Sequence, residues 1–197
     1  MIIVFAKAPV PGDAKTRLVP LLGEWGAARL HARLTRQAVE TALAARCGRV
    51  ELHGTRRHSL FERLKVPFQL QRGRDLGERM YRALLRNPGA ILIGTDCPEL
   101  TVADLRRADR WLRAGYDAVL APAEDGGYAL IALRRVSADI FRNMPWGSAS
   151  VFDETVKRLR PYRWRALRTV WDVDRPEDVA RFRARRFVST VRRRARR

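Results

Sequence analysis

Apolar positions along the chain recur in two distinct rhythms. Short runs that are almost wholly apolar, such as Ile2–Ala6, Ala90–Gly94, Asp117–Ala121 and Tyr128–Leu133, read as strands buried on both faces. Arg49–Gly54 alternates and gives a second strand, Pro67–Leu70 a brief third, and Trp164–Val170 a late one. Between them lie stretches with helical spacing. Over about residues 24–45, Leu30, Leu34 and Ala38 share one face with Ala27, Ala42 and Leu43, and Cys47-Gly48 end the helix. Shorter helices are predicted over His58–Leu64 and over residues 76–86, the latter before the turn Asn87-Pro88-Gly89. Another opens at Thr101 as T-x-x-D and closes at Gly115. A helix over residues 148–159 carries Val151, Phe152, Thr155, Val156 and Leu159 as its apolar stripe, with Ser148 or Ser150 as cap. Asp174, followed by Pro176 and Glu177, reads as the start of the last helix.

Strands alternating with helices predict an α/β fold: one domain, three layers α/β/α, with a mostly parallel sheet. A chain of 197 residues suits one domain, and residues 1–186 are assigned to it; residues 187–197 form a basic, arginine-rich tail expected to fray. No apolar run approaches the ~20 residues that cross a bilayer, and the N-terminus does not read as a signal peptide, so a cytoplasmic location is expected.

Charge changes this picture little. The net charge is +19, but residues 181–197 carry nine arginines and no acid, which leaves +10 for the rest. Thirty-six of the forty basic residues are arginine, scattered over many helix faces rather than set in a stripe. A nucleic-acid role is therefore disfavoured, although a basic surface attracts anionic nucleotides. Cys47 and Cys97 are too few for a disulfide scaffold or zinc cluster and are read as buried small hydrophobes. His31, His53 and His58 lack metal-ligand spacing and are assigned to surface or core.

Chemistry concentrates where strands end. After the first strand comes K-A-P-V-P-G-D-A-K-T-R-L, a loop with two prolines, a glycine and the pointed residues Lys7, Lys15, Thr16 and Arg17. Cations there, with backbone N–H groups and a helix N-terminus, suit phosphates; the loop is no Walker A motif, since position 14 is alanine. A solvated basic turn is the plainer reading. The central strand delivers Thr95 and Asp96 to the sheet edge, where ligands of open α/β sheets bind. Pro122–Tyr128 places Glu124 and Asp125 beside Gly126 and Gly127, good turn chemistry that also permits close approach to a ligand. Asp75 reads as a helix cap with Glu78 as its box partner, and the late segment adds Asp172 and Asp174. One cationic cradle plus several carboxylates is what a metal-dependent nucleotide site requires, the metal being Mg²⁺ or Mn²⁺ held by oxygen ligands.

The segments F-A-K-A-P-V-P-G-x-A-K-T-R-L, G-x-D-L-G-E-R-M, I-G-T-D-C-P-x-L, P-A-x-D-G-G-Y-x-L-I-x-L and D-V-D-x-P-E-D resemble an uncharacterised bacterial family of glycosyltransferase-like, or selenodomain-associated, transferases. That family belongs to the nucleotide-diphospho-sugar transferase superfamily, with the glycosyltransferase-A fold, and the resemblance covers roughly residues 1–183. It implies that Lys7, Gly12, Lys15, Thr16 and Arg17 lie along nucleotide phosphates, with Thr95 on the nucleotide. Leu76, Gly77 and Glu78 would lie near the base or ribose. It makes Asp96 the principal metal ligand and Asp174 the second, with Asp125 and Asp172 competing. Gly126, Gly127, Tyr128, Trp146 and Ser148 would face the acceptor; the chain has Trp-Gly-Ser where relatives commonly have Trp-Ser-Thr.

Three functions follow as expectations. The first is a glycosyltransferase that takes a nucleotide-sugar donor, with Lys15 and Arg17 stabilising the departing diphosphate and Asp125 as base for a small-molecule acceptor. The second is a guanylyl- or cytidylyltransferase-like enzyme that moves a nucleotide from an NTP to a phosphorylated substrate; the first loop lacks that branch's G-x-G-T-R pattern. The third is a non-catalytic nucleotide or nucleic-acid binder. No membrane span is expected, and homodimerisation is left open.

Overall fold

The structure is a computed structural model that describes residues 1–184. The apolar runs form strands β1 (Ile2–Ala6), β2 (Val50–Gly54), β3 (Phe68–Leu70), β4 (Ile91–Ile93), β5 (Ala118–Pro122), β6 (Tyr128–Leu133) and β7 (Trp164–Ala166). The helices are α1 (Val19–Ala45), α2 (Ser59–Arg63), α3 (Leu76–Leu85), α4 (Val102–Arg113) and α5 (Val151–Arg158), followed by one over residues 176–184. The arginine-rich tail lies outside the described residues. Among those described, no helix is long and apolar enough to cross a membrane.

One seven-stranded sheet runs in the order β3-β2-β1-β4-β6-β5-β7. Every neighbouring pair is parallel except the two that involve β6, which is antiparallel to β4 and to β5. The reason for the reversal is local. Asp125-Gly126-Gly127 closes a hairpin in which Gly127 N–H donates to the Asp125 carboxylate (2.9 Å) and Gly126 takes φ 86°. The turn reading and the mostly parallel sheet thus hold together.

Alternating side chains sort the core. Ile2, Val4 and Ala6 of β1 face α1, α2 and α4, among Val39, Phe61, Leu105 and Ala108. Ile3 and Phe5 face the other layer, among Met80 and Leu84 of α3 and Leu159 after α5. Both faces are covered, so the central strands are apolar throughout. A third cluster joins Leu18, Leu34, Trp171, Val173, Val179 and Phe182, and it clamps the loop after β1 to the chain after β7.

Several expected boundaries move. α1 begins at Val19 but breaks at Gly23 (φ 66°, ψ 166°), so its regular part does start near residue 24. Its buried stripe is turned from the expected one and runs through Ala27, His31, Leu34, Thr35, Val39 and Ala42, which leaves Leu43 49% exposed. β7 stops at Ala166, and Val170 keeps only an isolated bridge to Ala123. No serine side chain caps α5, which begins at Val151; the Phe152 N–H donates instead to Gly126 O across the hairpin tip (2.8 Å). Thr101 and Asp104 form the full capping box expected of α4.

Candidate nucleotide and metal site

β1 and β4 are neighbours, yet the chain leaves them for opposite halves of the sheet, so their carboxyl ends open a crevice. A cleft of about 550 Å³ occupies it. Its floor is apolar, with Phe5, Leu92, Met80 and Ile131; polar groups reach in from the strand-end loops. Of the residues singled out in the sequence, Lys7, Leu76, Thr95, Asp96, Asp125, Gly127, Tyr128, Trp146 and Ser148 line it, together with Asp172.

The others stand behind this lining. Lys15 adopts a left-handed backbone (φ 54°), and its side chain, only 3% exposed, puts Nζ 2.7 Å from Asp96 Oδ1 and 3.7 Å from Asp174 Oδ1. Arg17 pairs with the other oxygen of Asp174. The late acidic loop is brought here by a backbone bond, Val173 N–H to Asp96 O (2.9 Å), and by burial of Val173 beside Leu18. Asp174 does not cap the last helix as expected. Asp178 accepts the Asp174 and Arg175 N–H groups instead (3.0 and 2.7 Å), which frees the Asp174 carboxylate for Lys15 and Arg17. Gly12 turns the first loop with φ 76°, and Thr16 sits in the short 3₁₀ turn that follows. Asp13 tethers Lys7 (2.6 Å) and pairs with Arg56.

Gly77 and Glu78 also lie outside the lining. A side chain at Gly77 would meet the Trp146 ring at 2.8 Å, so this glycine seats the tryptophan against α3. Glu78 divides its oxygens between Arg74 and Arg82, which hold its carboxyl down at about 2, while Asp75 caps the helix by accepting Glu78 N–H (2.8 Å). Gly126 is pressed onto Ala149 O, which a Cβ would approach to 2.0 Å. Ser148 Oγ shares a hydrogen bond with Ser150 Oγ (2.9 Å), and Tyr128 meets Trp146 edge-on at 6.4 Å.

Charge in the cleft is uneven. Burial raises the Asp96 carboxyl, but the Lys15 ammonium and the His31 ring outweigh it, so Asp96 stays ionised. Asp172 is pushed up to about 6 by burial and by the negative charges of Asp125 and Asp174. Burial, with Asp96 adjacent, drives the Cys97 thiol well up, which leaves it protonated and a poor nucleophile. His31 is a cleft residue that sequence spacing did not reveal; it sits on the buried stripe of α1, four residues from Ala27 and from Thr35. A histidine in an apolar helical stripe was the available signal.

Among the described residues, no three His, Cys, Asp or Glu side chains converge to hold a metal. The donor set still fits a hard divalent ion. Such ions are commonly held by one or two carboxylates and completed by substrate phosphates and water. Here Asp96 and Asp172 line one cleft, and Asp125 lines it as well.

Fold and cleft together define a nucleotide-diphospho-sugar transferase-like α/β protein. The chain is matched over residues 29–148 by the profile of the bacterial family described as "Uncharacterized protein conserved in bacteria (DUF2064)", and it belongs to that family. It is similar to a protein from Desulfovibrio desulfuricans G20 whose assignment as a nucleotide-diphospho-sugar transferase is itself provisional. The two share 32% identity over 88% of this chain and 81% of that one, with a TM-score of 0.80. CMP:2-keto-3-deoxy-manno-octonic acid synthetase in complex with CTP shares the fold at 13% identity (TM-score 0.57, covering 96% and 98% of the two chains). So does 4-diphosphocytidyl-2C-methyl-D-erythritol synthase from Anaerococcus prevotii DSM 20548, at 8% identity (TM-score 0.57, covering 91% and 93%). No curated protein matches the chain.

Proposed function

We propose that this transferase moves a glycosyl group from a nucleotide-sugar donor to a small acceptor, with a divalent cation at Asp96. The observation that carries the reading is the convergence of Asp96, Asp125 and Asp172 on the cleft that Lys7 also lines, directly beyond β1 and β4. The likeness to the Desulfovibrio protein supports the same class of donor.

Each residue then has a role set by its place. The apolar floor and Leu76 take the nucleoside, and Thr95 lies at its edge. Lys7 and Arg17 reach the diphosphate, with Arg17 65% exposed beside Asp174. Asp96 holds the cation, and Asp172 is the second carboxylate that faces the same space. Asp174 positions Lys15 and Arg17 by pairing with both. A bound Mg²⁺ or Mn²⁺ would neutralise charge on the departing nucleoside diphosphate. Asp125 is exposed on the hairpin tip and fixed by Gly127 N–H, so it can accept the proton of an acceptor hydroxyl that enters between Tyr128, Trp146 and Ser148.

Thermal denaturation with NTPs, nucleoside diphosphates and nucleotide sugars, with and without Mg²⁺ or Mn²⁺, tests this. A ligand at a hundred times its Kd adds about 2.7 kcal/mol. Metal-dependent stabilisation by a nucleotide sugar and its diphosphate, lost in Asp96→Asn, is expected. Stabilisation confined to an NTP would move the assignment to nucleotidyl transfer. None at all would remove the site.

A further inference from the structure

His31 Nε2 lies 2.9 Å from Lys7 O, the first carbonyl beyond β1. A carbonyl only accepts, so Nε2 carries the hydrogen. The ring is 4% exposed, and its other nitrogen, Nδ1, has no hydrogen-bond partner. Nδ1 faces Asp96 Oδ1 at 3.7 Å, beyond hydrogen-bond length, and that buried oxygen is held by the Lys15 ammonium. A buried ring nitrogen without a hydrogen-bond partner and a buried carboxylate oxygen thus face each other. In metal sites, a ligating imidazole characteristically gives its second N–H to a backbone carbonyl, which fixes the tautomer and aims the free nitrogen. With metal–nitrogen and metal–oxygen bonds of about 2.1 Å, donor atoms up to about 4.2 Å apart can share one ion. The Lys15 ammonium, 2.7 Å from the same Oδ1, marks that oxygen as a place where positive charge collects.

Building on the cation proposed at Asp96, we infer that His31 Nδ1 is its second protein ligand, and that this nitrogen makes the site select a first-row transition-metal ion over Mg²⁺. Carboxylate and water suit Mg²⁺, whereas an imidazole nitrogen adds most affinity for the later first-row ions such as Fe²⁺, Ni²⁺ and Zn²⁺, and less for Mn²⁺. Two protein donors leave the remaining positions to phosphate oxygens and water, as in open catalytic sites. Asp174, 3.7 Å from Lys15 Nζ, can keep the ammonium when it yields Asp96 Oδ1 to the ion.

The test is pulsed electron paramagnetic resonance of the full chain loaded with Mn²⁺ alone. Nitrogen modulation is expected, and it should change isotope pattern when the chain carries ¹⁵N-histidine, a label that leaves the fold untouched. His53 is bound to Glu51 and His58 caps α2, so neither competes. His31→Gln should abolish the modulation and weaken Mn²⁺ binding by about tenfold or more, with less effect on Mg²⁺. Mn²⁺ that binds through Asp96 without histidine modulation would overturn the ligand and leave the cation at Asp96 standing; a protonated His31 that merely pairs with Asp96 would give this result. Failure to bind Mn²⁺ at all would overturn both. Modulation that survives in His31→Gln would also overturn the assignment.

Discussion

Asp172→Asn should make the unliganded protein more stable at neutral pH and hardly alter it in acid. The Asp172 carboxyl is raised from an ordinary 3.8 to about 6 by burial and by Asp125 and Asp174. That gap corresponds to about 3 kcal/mol of preference for the protonated form in the folded chain. The side chain is part-exposed, so screening reduces the expected effect to about 1–2 kcal/mol. The sign follows from linkage. A folded-state value above the unfolded one gives a stabilisation that is complete below about pH 4 and is lost as pH rises through 6. Asparagine keeps the shape without the charge and avoids that loss. For a chain of this size, the variant should melt about 2–8 °C above wild type at pH 8, with most of the difference gone at pH 4. General acid effects cancel in the comparison. Equal melting temperatures at pH 8, or the same offset at both values, would refute the electrostatic account. The variant should also gain less from added Mn²⁺, because it has lost a cation-facing carboxylate.

Other perturbations separate structure from function. Gly126→Ala drives a Cβ to 2.0 Å from Ala149 O at a backbone of φ 86°, so urea denaturation should register a loss of about 3 kcal/mol or more, the hairpin tip having nowhere to move. Leu120→Ala, at a fully buried position of β5, should cost about 2–5 kcal/mol in the same assay without touching the cleft lining. Arg17→Ala removes an exposed partner of Asp174; it should cost less than about 1 kcal/mol of stability and yet weaken nucleoside diphosphate binding measured by calorimetry. Unchanged affinity there would detach Arg17 from the phosphates.

Most of the fold is legible in the sequence because its strands are apolar on both faces. Runs such as Ile2–Ala6 and Tyr128–Leu133 have no amphipathic alternative, and Thr101 with Asp104 forms the box its spacing predicts. Helix faces are harder to place. On α1 the buried stripe falls between alanines, so Leu43 looks like a core position, whereas small residues let α1 approach the sheet and leave Leu43 in solvent. That misplacement is also what concealed His31. Chain order puts it in the first crossover helix, 65 residues from Asp96, and only the packing of α1 brings the two to 3.7 Å. Strand-end acids are visible one at a time, whereas which of them share a space depends on where their loops are tied.

Asp174 occupies the position a capping rule picks out, yet it does not cap the helix. D-x-P-E invites a cap by Asp174, since an aspartate before a proline-led first turn ordinarily accepts the free N–H groups. Those groups are already satisfied, because Asp178 reaches back to Asp174 N and Arg175 N. With the helix start closed from inside, the Asp174 carboxylate has no local partner and turns to Lys15 and Arg17. Both belong to the loop after β1, and Leu18 in that loop packs with Val173 and Trp171 in the third core cluster. Hydrophobic burial therefore sets the distance between the loops, and the ion pairs act within it. This order matters for the site: Lys15 is held left-handed and almost fully buried by its surroundings, so its ammonium is delivered to Asp96 before any ligand arrives. An ion or a phosphate that enters the cleft meets a preformed carboxylate–ammonium pair and must redistribute that charge, with Asp174 ready to share it.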